Sequence, residues 1–264
     1  MTRPPGAGGD TTSAGAVTVE VHDRIAVVTL DNPRTHNSIT RFMRHRLDEV
    51  FTDIADSDVA AVVLTGRGRS FSSGMDIGEI TPDGAHRVAD ELVAVERRIA
   101  EAAVPTIAAV DGNCVGGGAQ LAFACDLRVA AERSSFAITP AKLGIVYPAA
   151  SVIRLVRVVG PAVAKLLLFT ADPVDARSAL RYGMVHQVVR HDDVRSTALG
   201  LARTIAGRSA VSVRAAKSVV DAATVSADAA VDAQERWRRM DNPDIADALS
   251  AFGRKDFRTP ASAP

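Results

Sequence analysis

Val110 to Val129 reads VDGNCVGGGAQLAFACDLRV, and the fold turns on this stretch. It has the pattern of a buried strand end, a tight glycine-rich turn, and a short apolar helix with Gly116, Gly117 and Gly118 at its start. Consecutive glycines weaken a helix, because each loses more backbone freedom on folding than any other residue. Two reasons for tolerating them stand open. Either the main chain packs closely against a neighbouring element, or amide N–H groups at the helix N-terminus are left to meet an anion or an oxyanion.

Upstream, Val104 to Val110 is an apolar run of strand length, preceded by a long helical pattern that starts after Thr81-Pro82-Asp83-Gly84. Before that lies a second glycine-containing turn, SFSSGMDIGEI from Ser70 to Ile80, which follows the apolar run VAAVVLT from Val59 to Thr65. Strand, glycine turn, helix, repeated, is the pattern of successive crossovers in an α/β fold. Ligands of such folds gather at the carboxyl ends of the strands, where both turns would lie.

Toward the N-terminus, Val17 to Leu30 alternates apolar and polar residues around His22-Asp23-Arg24, a hairpin signal. Phe42, Leu47, Val50, Phe51 and Ile54 recur at helical spacing after Thr40, a residue suited to cap a helix. Downstream, short strands are expected near Leu127 to Ala131 and Ser135 to Thr139. The chain then turns mostly helical from Ser151, with a brief extended stretch at Val185 to Val189. Residues 1–15, rich in Gly, Thr and Pro, read as a disordered tail, residues 16–190 as the α/β core, and residues 191–264 as a C-terminal helical region.

Composition excludes several functional classes. Lys plus Arg and Asp plus Glu are equal at 31 each, so no global field favours nucleic acid or a membrane surface. No apolar run has the length of a membrane span or a signal peptide. Cys114 and Cys125 lack the spacing of a zinc site or a disulfide framework, which points to a reducing, cytoplasmic location. Gly116 begins no dinucleotide fingerprint, because position 121 is Leu, and Gly66-Arg67-Gly68 lacks the ending of a phosphate loop. No Gly-x-Ser-x-Gly elbow occurs. His186 and His191 stand five apart with no carboxylate partner, so no metal site is expected.

TGRGRSFSSGMDIGEI and VDGNCVGGGAQLAFACDLRVA together resemble the two signature stretches of the crotonase superfamily, the enoyl-CoA hydratase/isomerase family. The resemblance continues through SSFAITPAKLGIVYP, the segment from Gly160 to Val189 and AFGRKDF, covering roughly residues 17 to 258. It implies a spiral of repeated ββα turns with a C-terminal helical trimerisation region, a homotrimer or homohexamer, and an acyl-CoA substrate. Coenzyme A would enter as part of the thioester, with no separate cofactor. The resemblance also implies that the N–H groups of Met75 and Gly117 hold the thioester oxygen as it becomes an enolate. Arg34, His36, Ser73, Asp76, Ile77, Phe252 and Lys255 fall at positions that contact coenzyme A, although each charged one equally fits a plain surface charge.

The chain departs from the family pattern where water is activated. The two glutamates of the standard hydratases fall on Gln120 and Pro140 here, and neither residue exchanges a proton near neutral pH. FAITPAKLGIVY is instead similar to the methylmalonyl-CoA decarboxylase branch, which places a tyrosine where Tyr147 stands. Tyr147 would donate a proton, orient substrate, or serve only as a core tyrosine. That branch has a histidine where Met75 stands, so this pocket is expected to favour an apolar acyl group. Glu79, Asp83 and His86, in and after the first turn, either supply an unusual acid or base or mark a solvated helix start. The expected function is that of an acyl-CoA lyase of this family with nonstandard proton transfer, decarboxylase-like or an atypical hydratase. The alternative is a paralogue that binds acyl-CoA without catalysis.

Overall fold

The computed structural model describes residues 15–81, 84–240, 242 and 244–253, apart from the side chains at 85, 86, 247, 248 and 251–253. The N-terminal tail through residue 14, Asp83, the His86 side chain, the Phe252 side chain and Lys255 therefore lie outside the described residues.

Among the described residues, ten strands form two sheets. Strands β1 (Ala16–His22) and β2 (Ile25–Asp31) make the expected hairpin, pairing His22 with Ile25 across a two-residue turn. Asp23 and Arg24 carry that turn at φ 50° and 64°, the left-handed conformation that matches the twist of hairpin strands. Helix α1 (Arg41–Ala55) follows, and the Thr40 side chain accepts from the Met43 N–H as the cap expected of it. The chain then repeats one unit three times. Strands β3 (Ala61–Gly66) and β4 (Ser70–Ser72) lead to α2 (Ala85–Ala100); β5 (Thr106–Val110) and β6 (Asn113–Val115) lead to α3 (Gly117–Ala124). Next, β7 (Leu127–Ala131) and β8 (Ser135–Ala137) lead to the short α4 (Pro140–Leu143). The first strand of each pair joins a six-stranded sheet of order β1-β2-β3-β5-β7-β10, where β10 is Gln187–Val189 and all pairings after the hairpin are parallel. The second strand of each pair joins a small sheet of order β4-β6-β8-β9, β9 being Val174–Asp175. This stacking of ββα turns is the architecture the sequence resemblance implies.

The large sheet is apolar on both faces, which explains its continuous apolar runs. Ala26, Val28, Val62, Leu64, Ala108 and Val110 face the core shared with α1, α2, α3 and the small sheet. Their alternates Ile25, Val27, Ala61, Val63, Ile107, Ala109 and Val129 face α7 (Val194–Ala206). That helix buries Val194, Ala198 and Ala202, four residues apart along one stripe. Helix α5 (Ala149–Thr170) is interrupted at Gly160, whose φ of 74° and ψ of 165° are not helical, immediately before Pro161. Helix α6 spans Ala176–Arg181.

By its contacts, the chain forms two compact units that divide between Ala206 and Gly207, later than the boundary read near residue 190. The contacts of α7 with the large sheet account for the difference. The second unit contains α8 (Ala210–Ala223), α9 (Ala227–Arg238) and α10 (Asp244–Gly253). Its first two helices are capped by Ser209 and Ser226 and pack on each other. Among the described residues, no helix is long and apolar enough to cross a membrane.

Candidate active site

Both glycine turns leave the small sheet at neighbouring strands, since β4 and β6 pair in parallel. After β4 the chain runs through Gly74 at φ 102°, where a side chain would press to 2.9 Å from the Val115 carbonyl oxygen. The Ile39 N–H donates to the Gly74 carbonyl at 2.7 Å and the Asp76 N–H to the Ile39 carbonyl at 3.2 Å, so Met75 is held on both sides by main-chain bonds. After β6, Gly116 turns the chain at φ 51° and ψ −115°.

The glycines of the run answer to different needs. Gly116 supplies the backbone conformation. Gly118 packs on β4, where a Cβ would lie 2.8 Å from the Ser72 carbonyl oxygen. A Cβ on Gly117 would stand 3.2 Å from the Met75 nitrogen, so these two stretches of main chain are adjacent. Close packing and an approach of the Gly117 and Met75 main chain therefore occur side by side. Among the described residues, neither the Met75 nor the Gly117 N–H donates to a protein acceptor. At Gly117 the reason is its place in the first turn of α3, where N–H groups have no intrahelical carbonyl to meet.

A cavity opens beside these amides. Ser73, Met75, Ile77, Gly117, Gln120, Pro140 and Tyr147, all singled out from sequence, line it together with apolar residues such as Ile80, Leu143 and Ile145. Apart from the Tyr147 phenol, the lining holds no titratable side chain among the described residues. Tyr147 is partly exposed as a side chain. Burial first, then the charge of Glu96, raises its pKa well above the ordinary tyrosine value.

Behind Gln120 lies a polar network that sequence reading missed. Glu96 of α2 accepts from Arg154 Nε at 2.6 Å and from Ser151 Oγ at 2.5 Å, both on α5. Gln120 Nε2 donates to Ser151 Oγ at 2.7 Å and to Glu96 at 3.3 Å. The signal available was the position of Glu96 within the apolar stripe of α2, among the buried Leu92, Val95 and Ile99. A carboxylate on such a face requires internal partners.

The other expected residues are placed elsewhere. Asp76 caps the turn Ile77–Glu79 by accepting from the Gly78 N–H at 2.9 Å. Glu79 accepts from the Arg41 N–H and pairs with buried Arg44 at 2.9 Å, and Arg44 also pairs with Glu91. These contacts fasten the Met75 turn to α1 and give Glu79 a structural task. The hydrogen bond from Arg44 is the largest of the causes holding the Glu91 carboxyl below its usual range. His36 is exposed outside the cavity lining, and its carbonyl accepts from the Ser73 N–H at 2.9 Å. Arg34 is exposed and pairs with no carboxylate among the described residues. His186 Nδ1 accepts from the Arg128 N–H at 3.1 Å, and burial followed by the Arg128 charge lowers its pKa. Among the described residues, no group of three His, Cys, Asp or Glu is placed to hold a metal.

The family model described as Enoyl-CoA hydratase/isomerase matches residues 20–251. The short-chain-enoyl-CoA hydratase of Clostridium acetobutylicum is 33% identical over 251 residues, covering 89% of this chain and 94% of its own. The (E)-benzylidenesuccinyl-CoA hydratase of Thauera aromatica is 34% identical over 205 residues, covering 76% of this chain and 80% of its own. The crystal structure of an enoyl-CoA hydratase from Bacillus anthracis superposes with a TM-score of 0.85 at 27% identity, over 90% of this chain and 96% of that one. The chain belongs to the enoyl-CoA hydratase/isomerase family, in the crotonase superfamily.

Proposed function

We propose that the cavity binds the acyl end of a coenzyme A thioester and stabilises its enolate between the N–H groups of Met75 and Gly117, with Tyr147 as the proton donor that quenches it. The observation carrying this reading is the lining: two unengaged amides, one phenol and no carboxylate among the described residues. Amide donors aimed at a developing oxyanion in a dry site are worth roughly 3 kcal/mol each. The α3 N-terminus adds a favourable dipole.

Activation of water by two carboxylates needs both in the cavity, and Gln120 and Pro140 stand in those places. Loss of CO2 from a malonyl-type thioester needs neither. The bond between Cα and the carboxylate carbon breaks, its electron pair enters the thioester as an enolate, and CO2 leaves. The Tyr147 O–H then protonates Cα, and the phenolate regains a proton from water. Coenzyme A takes part only as a piece of the substrate, and the assembly proposed is a homotrimer or homohexamer.

A panel of enoyl-, malonyl-type and branched acyl-CoAs incubated with purified protein tests this reading. The expected result is CO2 release from a malonyl-type thioester with slow or undetectable hydration of crotonyl-CoA. Rapid crotonyl-CoA hydration would overturn it. Binding without any change in the acyl group would favour a catalytically silent acyl-CoA-binding protein.

A further inference from the structure

Glu96 takes part in no step described above, and it does not line the cavity. Its side chain is 2% exposed, yet both carboxylate oxygens are engaged, one by Arg154 and the other by Ser151 and Gln120. Ser151 spends its one proton on Glu96, so its oxygen meets Gln120 only as an acceptor. Two acceptors thus face the Gln120 carboxamide, which must turn its NH2 toward them. Rotating the amide would set its oxygen against the carboxylate and strip buried acceptors of their donors. Gln120 is 5% exposed and lines the cavity. Its oxygen takes no donor among the described residues, and is the polar atom left for the cavity.

We propose that Glu96 is a positioning residue that locks the Gln120 carboxamide with its oxygen toward the cavity, making this wall a hydrogen-bond acceptor that favours an acyl hydroxyl and disfavours an acyl carboxylate. The inference rests on the reading of the cavity as an acyl-CoA site. Tyr147 complements the filter, because a hydroxyl is able to donate to Gln120 and accept from the phenol. A carboxylate against the same wall has no donor from Gln120. For a malonyl-type thioester that unfavourable ground state is the one relieved by loss of CO2.

Calorimetric titration with butyryl-CoA, 3-hydroxybutyryl-CoA and succinyl-CoA tests the filter, since these differ in the polar group they present and need no turnover. The intact protein is expected to bind the hydroxyl form about ten-fold more tightly than butyryl-CoA and the succinyl form about ten-fold more weakly. In Glu96→Gln the introduced amide matches either end of Gln120 and releases the lock, so the gap between hydroxyl and carboxylate ligands should shrink at least ten-fold. A general loosening of structure would weaken all ligands alike and leave their order unchanged. Ser151→Ala, which leaves Glu96 in place, is expected to narrow the same gap and serves if Glu96→Gln does not fold. Equal binding of the hydroxyl and butyryl forms by the intact protein overturns the proposal, as does an unchanged order in both variants. Failure of every ligand to bind, butyryl-CoA included, overturns the acyl-CoA reading itself and this inference with it.

Discussion

The cavity has two walls built in different ways. One is main chain, the turns at Gly74-Met75 and Gly116-Gly117; the other is side chain, Gln120, Pro140 and Tyr147. The main-chain wall is placed by the pairing of β4 with β6 and by glycines that let the two turns touch. Its donors belong to the backbone, so side-chain identity enters only through the space it fills. The side-chain wall depends on partners that stand far along the chain, Glu96 lying 24 residues before Gln120 and Ser151 lying 31 after it. On the proposed function, oxyanion binding would thus be a property of the fold, whereas proton chemistry and acyl preference would be properties of a few exchangeable side chains. A chain can keep the first and change the second, and on the proposed reading Gln120 and Pro140 would mark such a change here.

The largest test strikes the side-chain wall. Tyr147→Phe removes the only titratable group of the described lining while keeping its ring, and turnover of the true substrate is expected to fall by roughly 10²- to 10⁴-fold with little change in KM. Unchanged turnover would return Tyr147 to a packing role. The main-chain wall is probed by a pair of neighbouring substitutions. Gly117→Ala places a methyl group 3.2 Å from the Met75 nitrogen and 2.7 Å from the end of the flexible Leu92 side chain. Leu92 is able to shift, but the space between the two amides is narrowed, so turnover should drop about 10²-fold. Gly118→Ala instead drives its methyl group into the Ser72 main chain, and should lower stability by about 1–3 kcal/mol. A urea titration and a rate measurement on both variants separate them; equal effects on rate would mean that the two glycines serve one purpose.

How much of this was legible in the sequence follows the same division. The hairpin, the buried strands and the glycine turns announce themselves through period-two alternation and local turn chemistry, and the structure contains them. Strands β4 and β6 escaped notice because each has three residues and sits inside a glycine turn, too short for any periodicity to register. Of the small sheet only β8, expected near Ser135 to Thr139, could be read from the sequence, although the spiral was implied by resemblance. Met75 and Gly117, named through resemblance, do meet in space. Gln120 could be named as a departure, but its orientation could not, because that depends on Glu96 and on Ser151 across two other helices. Asp76 and Glu79 had chemical character visible in sequence, while their use as a cap and an ion-pair partner is a matter of local geometry.

The smallest expected effect concerns the titration of the side-chain wall. Burial and the nearby Glu96 charge favour the neutral phenol of Tyr147 in the folded protein, so its pKa lies above the unfolded value of about 10. The folded state therefore holds its proton where the unfolded chain begins to release one. The stability arising from the neutral phenol is fully present below about pH 10 and is lost as pH climbs from there through the raised folded value. Thermal unfolding of the intact protein and of Tyr147→Phe, measured in parallel from pH 7 upward, isolates this contribution. The difference in Tm is expected to stay constant to about pH 10, after which the intact protein should lose ground to the variant. A difference that stays flat well above about pH 10 would mean that the phenol is ordinary in pKa, and one that moves in the intact protein's favour between about pH 7 and 10 would mean that it is lowered, which would make Tyr147 a poor reservoir for the proton that quenches the enolate.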